Sequence, residues 1–224
     1  ITFPNDPSQV EEGGTDISGA ISSNTTWDVD GSPYTITANT VIMDGVTLTI
    51  DPGVTVLFSQ DVYLKALSGG TLIAQGTEAD SINFTVTNEN EITNISGIIF
   101  EDGSFGSIIN DDDGYIAYVS GSIFNYCKFY SLIGESSIIL EKTSLLLKNS
   151  LFNSNQSTQG IIQVDFNDLI LDSSIFINNS STTNGGAIYK SNSSSNIGEL
   201  LFYNSKFINN TSSGSGGSIY VDRA

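Results

Sequence analysis

The chain has 224 residues, enough for one large repeat domain with a continuous buried core. Its 25 acidic and 7 basic residues give a net charge of −18, which excludes a general binder of nucleic acids or anionic membranes. It has no histidine, so mechanisms that need a histidine base or metal ligand are excluded as well. No run of residues approaches the roughly 20 apolar positions of a membrane span, so we expect no membrane insertion by this segment.

The N-terminal segment and the remainder of the chain are predicted to be different in kind. Residues 1–25 form an extended extension or cap, and residues 26–224 form a single repeat domain. We expect a signal peptide to have been removed or left out, because no basic and then apolar leader precedes Ile1. We also expect the repeats to continue in a longer chain, because the sequence ends within a repeat.

Short stretches of alternating apolar and polar residues dominate the first third of the domain. This period of two predicts β-strands at residues 34–37, 46–50, 54–58 and 82–86. Three of the stretches carry Thr-x-Thr, at Thr35/Thr37, Thr47/Thr49 and Thr85/Thr87. A flat threonine ladder can order water, so an ice-binding protein is one alternative function.

The densest acidic site follows at residues 110–114, which read Asn-Asp-Asp-Asp-Gly. Hard oxygen ligands at a turn that ends in glycine could hold Ca²⁺, which makes Asp111, Asp112 and Asp113 candidate ligands. The spacing matches neither an EF-hand nor the calcium-binding nonapeptide repeat, and a solvated turn between strands is the alternative. No other cofactor is predicted.

An internal repeat occupies the second half of the chain. Its phenylalanines, Phe129, Phe152, Phe176 and Phe207, are separated by 23, 24 and 31 residues. Positions two apart in a strand share a face, so a second column points to the same side as the rings; it consists of Cys127, Ser150, Ser174 and Ser205. Cys127 is the only cysteine and is predicted to be buried and inert there. We expect these eight residues to form the core stack.

Two further motifs accompany these phenylalanines. Three of them begin a Phe-x-x-Asn motif that ends at Asn155, Asn179 or Asn210, and Gly-Gly pairs begin at Gly185 and Gly216. A polar insertion at residues 191–196 explains the step of 31 residues. Short strands with asparagine and glycine turns at a period near 24 predict an all-β, right-handed parallel β-helix of about eight coils.

These motifs resemble known families. The Phe-x-x-Asn and Gly-Gly-Ala-Ile pairs are similar to the repeats of polymorphic outer-membrane proteins, whose passengers adhere to host cells. Residues 26–58 and 70–77 resemble the opening coils of secreted β-helix proteins of the pectin-lyase-like superfamily. The resemblance implies a β-helix over residues 26–224. It leaves function open, because the superfamily contains lyases, hydrolases, adhesins and inert stalks.

An enzyme that cleaves polysaccharides is the second alternative function. Relatives of this kind use carboxylates, calcium, histidine and an arginine or lysine base, whereas this chain has no histidine and its only arginine is Arg223. Lys142 beside Glu141 is the best available base. We therefore predict no catalytic residues and no enzyme activity.

Sequons for N-glycosylation are numerous. If the source is eukaryotic, we expect glycans in exposed loops and on outward positions, at Asn24, Asn83, Asn94 and Asn192. The sequons at the Phe-x-x-Asn turn are expected to form an asparagine ladder in preference to carrying glycans; they are Asn155, Asn179 and Asn210.

The favoured function is a noncatalytic β-helix, extracellular or at the cell surface, that serves as an adhesin, a stalk or a filament subunit. Its expected partners are other copies joined end to end, or surface proteins and glycans, because the ends of a solenoid expose unpaired backbone.

Overall fold

The computed structural model describes residues 14–112, 115–192 and 198–223, and its architecture is built from short strands. A 3₁₀ turn covers Val29–Gly31. The strands in the described part of the chain are, in order, β1 (Thr15–Ile21), β2 (Thr25–Trp27), β3 (Tyr34–Ile42), β4 (Thr47–Ile50), β5 (Thr55–Phe58), β6 (Tyr63–Ala66), β7 (Thr71–Gln75), β8 (Ile82–Val86), β9 (Gly97–Phe100), β10 (Ile108–Asp112), β11 (Tyr115–Ser120), β12 (Ile123–Asn125), β13 (Cys127–Tyr130), β14 (Ile133–Gly134), β15 (Ile138–Glu141), β16 (Leu145–Lys148), β17 (Leu151–Asn153), β18 (Gln156–Ser157), β19 (Ile162–Asp165), β20 (Leu169–Asp172), β21 (Ile175–Ile177), β22 (Ser180–Ser181), β23 (Ile188–Asn192), β24 (Leu200–Tyr203), β25 (Lys206–Ile208), β26 (Thr211–Ser212) and β27 (Ile219–Arg223).

The coils wind through parallel sheets: the first coils pass through three, and a fourth, short sheet begins at β14. Sheet I contains β2, β4, β7, β12, β16, β20 and β24. Sheet II begins with the first half of β3 and continues through β5, β8, β13, β17, β21 and β25. The short sheet III contains β14, β18, β22 and β26, and sheet IV runs from the second half of β3 through β6, β9, β15, β19, β23 and β27. The predicted right-handed parallel β-helix is confirmed.

The first strand lies across the beginning of this stack. Residues 15–21 pair in parallel with β3 along both of its halves, with one irregularity between Ile17 and Gly19. This strand falls inside the segment 1–25 that we predicted as a cap, and it occupies the place of a partial first coil. The rest of the predicted extension, residues 1–13, lies outside the described residues.

The interior is filled by apolar side chains from every coil. They form one continuous cluster that begins at Trp27, which stacks on Tyr34 with 4.9 Å between ring centroids, and that extends to Ile188. Because each coil buries its apolar face against the coils above and below, burial and strand pairing stabilise the same arrangement.

A column of parallel phenylalanine rings runs through this core. The ring of Phe152 lies 4.4 Å from that of Phe129 and 4.5 Å from that of Phe176, and Phe207 follows at 5.1 Å. Phe84 extends the column at the other end, 4.7 Å from Phe129. In-register pairing of β8, β13, β17, β21 and β25 places the rings directly above one another.

An inserted antiparallel hairpin, β10 and β11, covers the outer face of sheet I. Ile109, Ile116 and Tyr118 of the hairpin belong to a second apolar cluster with outward-facing sheet I residues, among them Ile123, Leu146 and Ile170. At the neck of the hairpin Gly121 has a φ of 92°, and a Cβ there would collide with the carbonyl oxygen of Gly106. The hairpin therefore closes an apolar surface that the coils alone would leave exposed.

The phenylalanine column gives a direct test of the core. We expect Phe152→Ala to lower the free energy of unfolding by about 3–5 kcal/mol, because it removes a fully buried ring that stacks on two others. Urea denaturation followed by circular dichroism measures the change. The control Lys128→Ala replaces an exposed side chain on the same sheet and should change stability by less than about 0.5 kcal/mol. Equal losses in the two variants would contradict the assignment of the column to the core.

Candidate interaction surfaces

The corner between sheets I and II is held by a ladder of hydroxyls. The Oγ of Ser150 accepts a hydrogen bond from the backbone N–H of Cys127, Ser174 accepts from Ser150, and Ser205 accepts from Ser174. Each hydroxyl donates in turn to the carbonyl two residues before it. These are the small residues that the sequence placed beside the rings, and their bonds satisfy backbone groups that the corner leaves unpaired.

Cys127 begins this ladder and is completely buried. Burial raises the pKa of its thiol, and its Sγ lies 3.6 Å from the carbonyl oxygen of Ala74. A thiol that is buried and protonated is a poor nucleophile, so the position is structural.

The corner between sheets II and III is held by an asparagine ladder. Asn179 accepts on its Oδ1 from the backbone N–H and the Nδ2 of Asn155, both at 3.0 Å. Its own Nδ2 donates to the carbonyl of Phe152 and to Oδ1 of Asn210. The left-handed conformation falls one residue before each ladder position, with φ of 56° at Asn178. The ladder asparagines thus bond to neighbouring coils, while the residue before each of them makes the turn.

This geometry separates the predicted glycosylation sites into two groups. The ladder asparagines are buried and fully engaged in hydrogen bonds; they are Asn155, Asn179 and Asn210. Asn24 is exposed, and Asn83 and Asn94 are half-buried, with Nδ2 of Asn94 donating to Asp61 at 2.7 Å. The side chain of Asn192 lies outside the described residues.

The ladder predicts a strong contrast between neighbouring asparagines. We expect Asn179→Ala to lower the free energy of unfolding by about 2–4 kcal/mol, because the N–H of Asn155 and the carbonyl of Phe152 lose buried partners. The control Asn178→Gly replaces an exposed residue at a φ that glycine adopts readily and should cost less than about 0.5 kcal/mol. Thermal unfolding measures both variants, and similar losses would refute the ladder's role.

The predicted acidic site lies in the inserted hairpin. Asp111 and Asp112 end β10, and Asp113 lies outside the described residues. In the part of the chain that the structure describes, no group of three or more cysteine or acidic side chains is arranged to hold a metal ion. Calcium binding at these three aspartates stays a hypothesis.

Lys142, the residue that we considered as a base, is already engaged. Its Nζ lies 2.9 Å from Oδ2 of Asp102, and both side chains are exposed. The hydrogen bond and the charge of Asp102 raise the pKa of the lysine. A general base must be deprotonated at the working pH, so this environment disfavours the role.

Lys190 is the one charged residue among the buried side chains of the described residues, and no sequence motif pointed to it. It points inward from β23 at a position where the adjacent coils carry Val164 and Val221. Its Nζ donates to the carbonyl of Asn167 at 2.8 Å, and burial lowers its pKa although Asp168 opposes the shift. The alternation of β23 could have flagged Lys190, because it falls in phase with Ile188.

Lys190 therefore makes stability depend on pH. A lysine whose folded pKa is lowered destabilises the fold while it is charged, so stability should rise between the folded pKa and the unfolded value near 10.4. We expect Lys190→Met to raise the free energy of unfolding at pH 7 by about 1 kcal/mol or more and to flatten this rise. Denaturation at pH 7 to 10 measures it, with Lys65→Met on the outer face as the control. A loss of stability in Lys190→Met at pH 7 would show that the buried charge does not destabilise the fold.

The outer faces of sheets II and IV carry opposite charge patterns. On sheet II, Lys128 and Lys206 are exposed at the two ends of a column that has Leu151 and Ile175 between them. We call this column and the one beside it, Tyr130, Asn153, Ile177 and Ile208, the lysine face. On sheet IV a column of half-buried residues forms the acidic row, which consists of Glu141, Asp165, Ser191 and Asp222.

Comparison with known proteins agrees with this architecture. Residues 19–119 match a pectate-lyase-like beta helix domain, and residues 173–191 and 204–222 match the repeat of Chlamydia polymorphic membrane proteins. Searches of curated proteins and of solved structures gave no significant match. Among the described residues, no helix has the length and apolar character to cross a membrane. The resemblance is confirmed: residues 19–119 are similar to a pectate-lyase-like beta helix domain, and two later segments are similar to the polymorphic membrane protein repeat.

Proposed function

We propose that this protein is a noncatalytic β-helix rod that acts at the cell surface or outside the cell, as an adhesin, a stalk or a filament subunit. The observation that carries the proposal is the coincidence between matched repeats and coils. Residues 173–191 contain β21, β22 and nearly all of β23, and residues 204–222 contain β25, β26 and nearly all of β27. Each matched repeat therefore supplies one rung to sheets II, III and IV and presents one row of outward side chains.

The partners of such a rod are proposed to be other surface proteins, glycans or further copies, and no cofactor is needed for this role. Repeated coils present the same surface position at each step, which suits binding to a repetitive partner. If the protein is made in a eukaryotic secretory pathway, glycans are proposed at the exposed or half-buried sequons Asn24, Asn83 and Asn94, and at Asn192.

A polysaccharide lyase or hydrolase is the second candidate function, supported by the match of residues 19–119. The ion pair of Lys142 with Asp102 argues against the base that we considered for it. For an ice-binding protein the threonine columns are short: Thr35 and Thr85 have Leu57 between them, and Thr49 is followed by Ile73. A regular threonine surface therefore does not extend over the coils.

The adhesive role can be tested with coated beads. We expect beads that carry the folded chain to bind cultured epithelial cells severalfold better than beads that carry a variant with both Phe152→Ala and Asn179→Ala, whose coils should be disrupted. Flow cytometry counts the bound beads. In parallel, the chain should release no reducing ends or unsaturated products from a panel of plant and algal polysaccharides.

Two results would contradict the proposal. Equal binding of the folded and disrupted chains would show that the stacked coils do not mediate adhesion. Steady product release that is lost in Lys142→Ala would instead establish the enzyme and assign the base.

A further inference from the structure

The lysine face is unusual in a chain with a net charge of −18. Lys128 and Lys206 are exposed, and no ion pair holds either of them within the described part of the protein. Two other lysines are in ion pairs: Lys142 pairs with Asp102, and Lys148 pairs with Asp172 at 2.9 Å. Lys128 and Lys206, which have no ion pair among the described residues, thus lie on the same surface, at the ends of one column.

Aliphatic side chains fill the lysine face between and beside these cations. Leu151, Ile175 and Ile177 are half-buried, and Ile208 is 39% exposed. The outer face of sheet I has a comparable aliphatic row, but there the inserted hairpin covers it. No described residue covers the lysine face in the same way, so its apolar area is open to a partner.

The acidic row has the same axial spacing as the lysine column. Lys128 and Lys206 are three rungs apart in sheet II, and Glu141 and Asp222 are three rungs apart in sheet IV. Three rungs correspond to about 14 Å at the usual spacing of paired strands. A column of apolar and aromatic character lies beside the acidic row; it contains Ile139 and Tyr189, which are buried, and Gln163 and Tyr220, which are half-buried.

We propose that the lysine face binds the acidic row of a second copy of this chain, so that rods associate side by side. Lys128 and Lys206 of one copy pair with Glu141 and Asp222 of the next, and Ile208 packs against the half-buried Tyr220. Both rows run along the rod axis, so a single lateral approach brings both cations to carboxylates at once. The occupant is a copy of this chain because the chain itself carries the matching charges at the matching spacing.

The two faces belong to different sheets, so the contact is heterologous. A pair of copies keeps one unused lysine face and one unused acidic row, so a lateral array can grow instead of closing as a dimer. The net charge of −18 per copy opposes association at low ionic strength. Association should therefore strengthen as salt rises to about 0.15 M and weaken again near 1 M, where the contacting pairs are screened as well.

Charge reversal with heterotypic rescue tests the proposal. We expect sedimentation velocity of the folded 224-residue chain to show association that strengthens with concentration. Lys128→Glu combined with Lys206→Glu should weaken it by at least about tenfold. Glu141→Lys combined with Asp222→Lys should weaken it similarly, and an equimolar mixture of the two variants should restore it. A mixture that stays dissociated would overturn the pairing.

A matched control separates local pairing from net charge. Lys128→Glu and Lys65→Glu change the net charge equally, but Lys65 lies on β6, two rungs before the strand that begins the acidic row. Lys65→Glu should associate like the unmodified chain, and an equal weakening in both variants would overturn the proposal. A chain that stays monomeric up to its solubility limit would also overturn the proposal. Assembly that none of the charge reversals weakens would overturn it as well and would indicate end-to-end joining. None of these results bears on the bead assay, so the adhesive role is tested separately.

Discussion

The in-register pairing of parallel strands is the constraint on which the rest of this molecule depends. Each strand of sheets I, II and IV bonds to an equivalent strand in the coil above and below, so equivalent positions are brought within a strand spacing of one another. Like residues then lie on like residues. Phenylalanine meets phenylalanine and asparagine meets asparagine because backbone register places equivalent positions one strand spacing apart.

Register also explains why polar residues can be buried at the corners. A serine or asparagine in one coil reaches backbone groups of the next coil, and the same bond repeats along the rod. Burial of a polar group is costly only when its hydrogen bonds are lost. Three buried hydroxyls in the described residues lack a partner, those of Thr85, Ser157 and Ser181, and two of them face each other across adjacent strands of sheet III.

Much of this fold could be predicted because the constraint leaves a trace in the sequence. The spacing of Phe129, Phe152 and Phe176 gave the coil period, and the small residues two positions earlier gave the inward direction. Phe84 was not predicted to belong to the ring column. The inserted hairpin lies between Phe84 and Phe129, so their separation in sequence does not match the repeat period. The burial of Lys190 was not predicted because lysine side chains are usually exposed. Only the alternation of inward and outward positions along its strand indicates that it points into the core.

The surfaces were harder to predict than the core. Axial columns such as the acidic row join residues more than 20 positions apart, and they become visible only when the coils are aligned through their strand pairs. The sequence at Asp111 and Asp112 predicts a calcium site or a solvated turn, whereas the neighbouring Ile109 and Ile116 carry a contact with sheet I. Local sequence indicated the charge of this hairpin, and only tertiary packing shows what it covers.

The uneven steps between the stacked rings have a consequence for how such rods can vary. Steps of 24 and 31 residues both advance the ring column by one strand pair, with centroid separations of 4.5 Å and 5.1 Å. The seven additional residues of the longer step therefore leave the height of the coil nearly unchanged. The length of the rod is therefore set by its number of coils and not by its number of residues, so coils of different circumference can be stacked without a change in length.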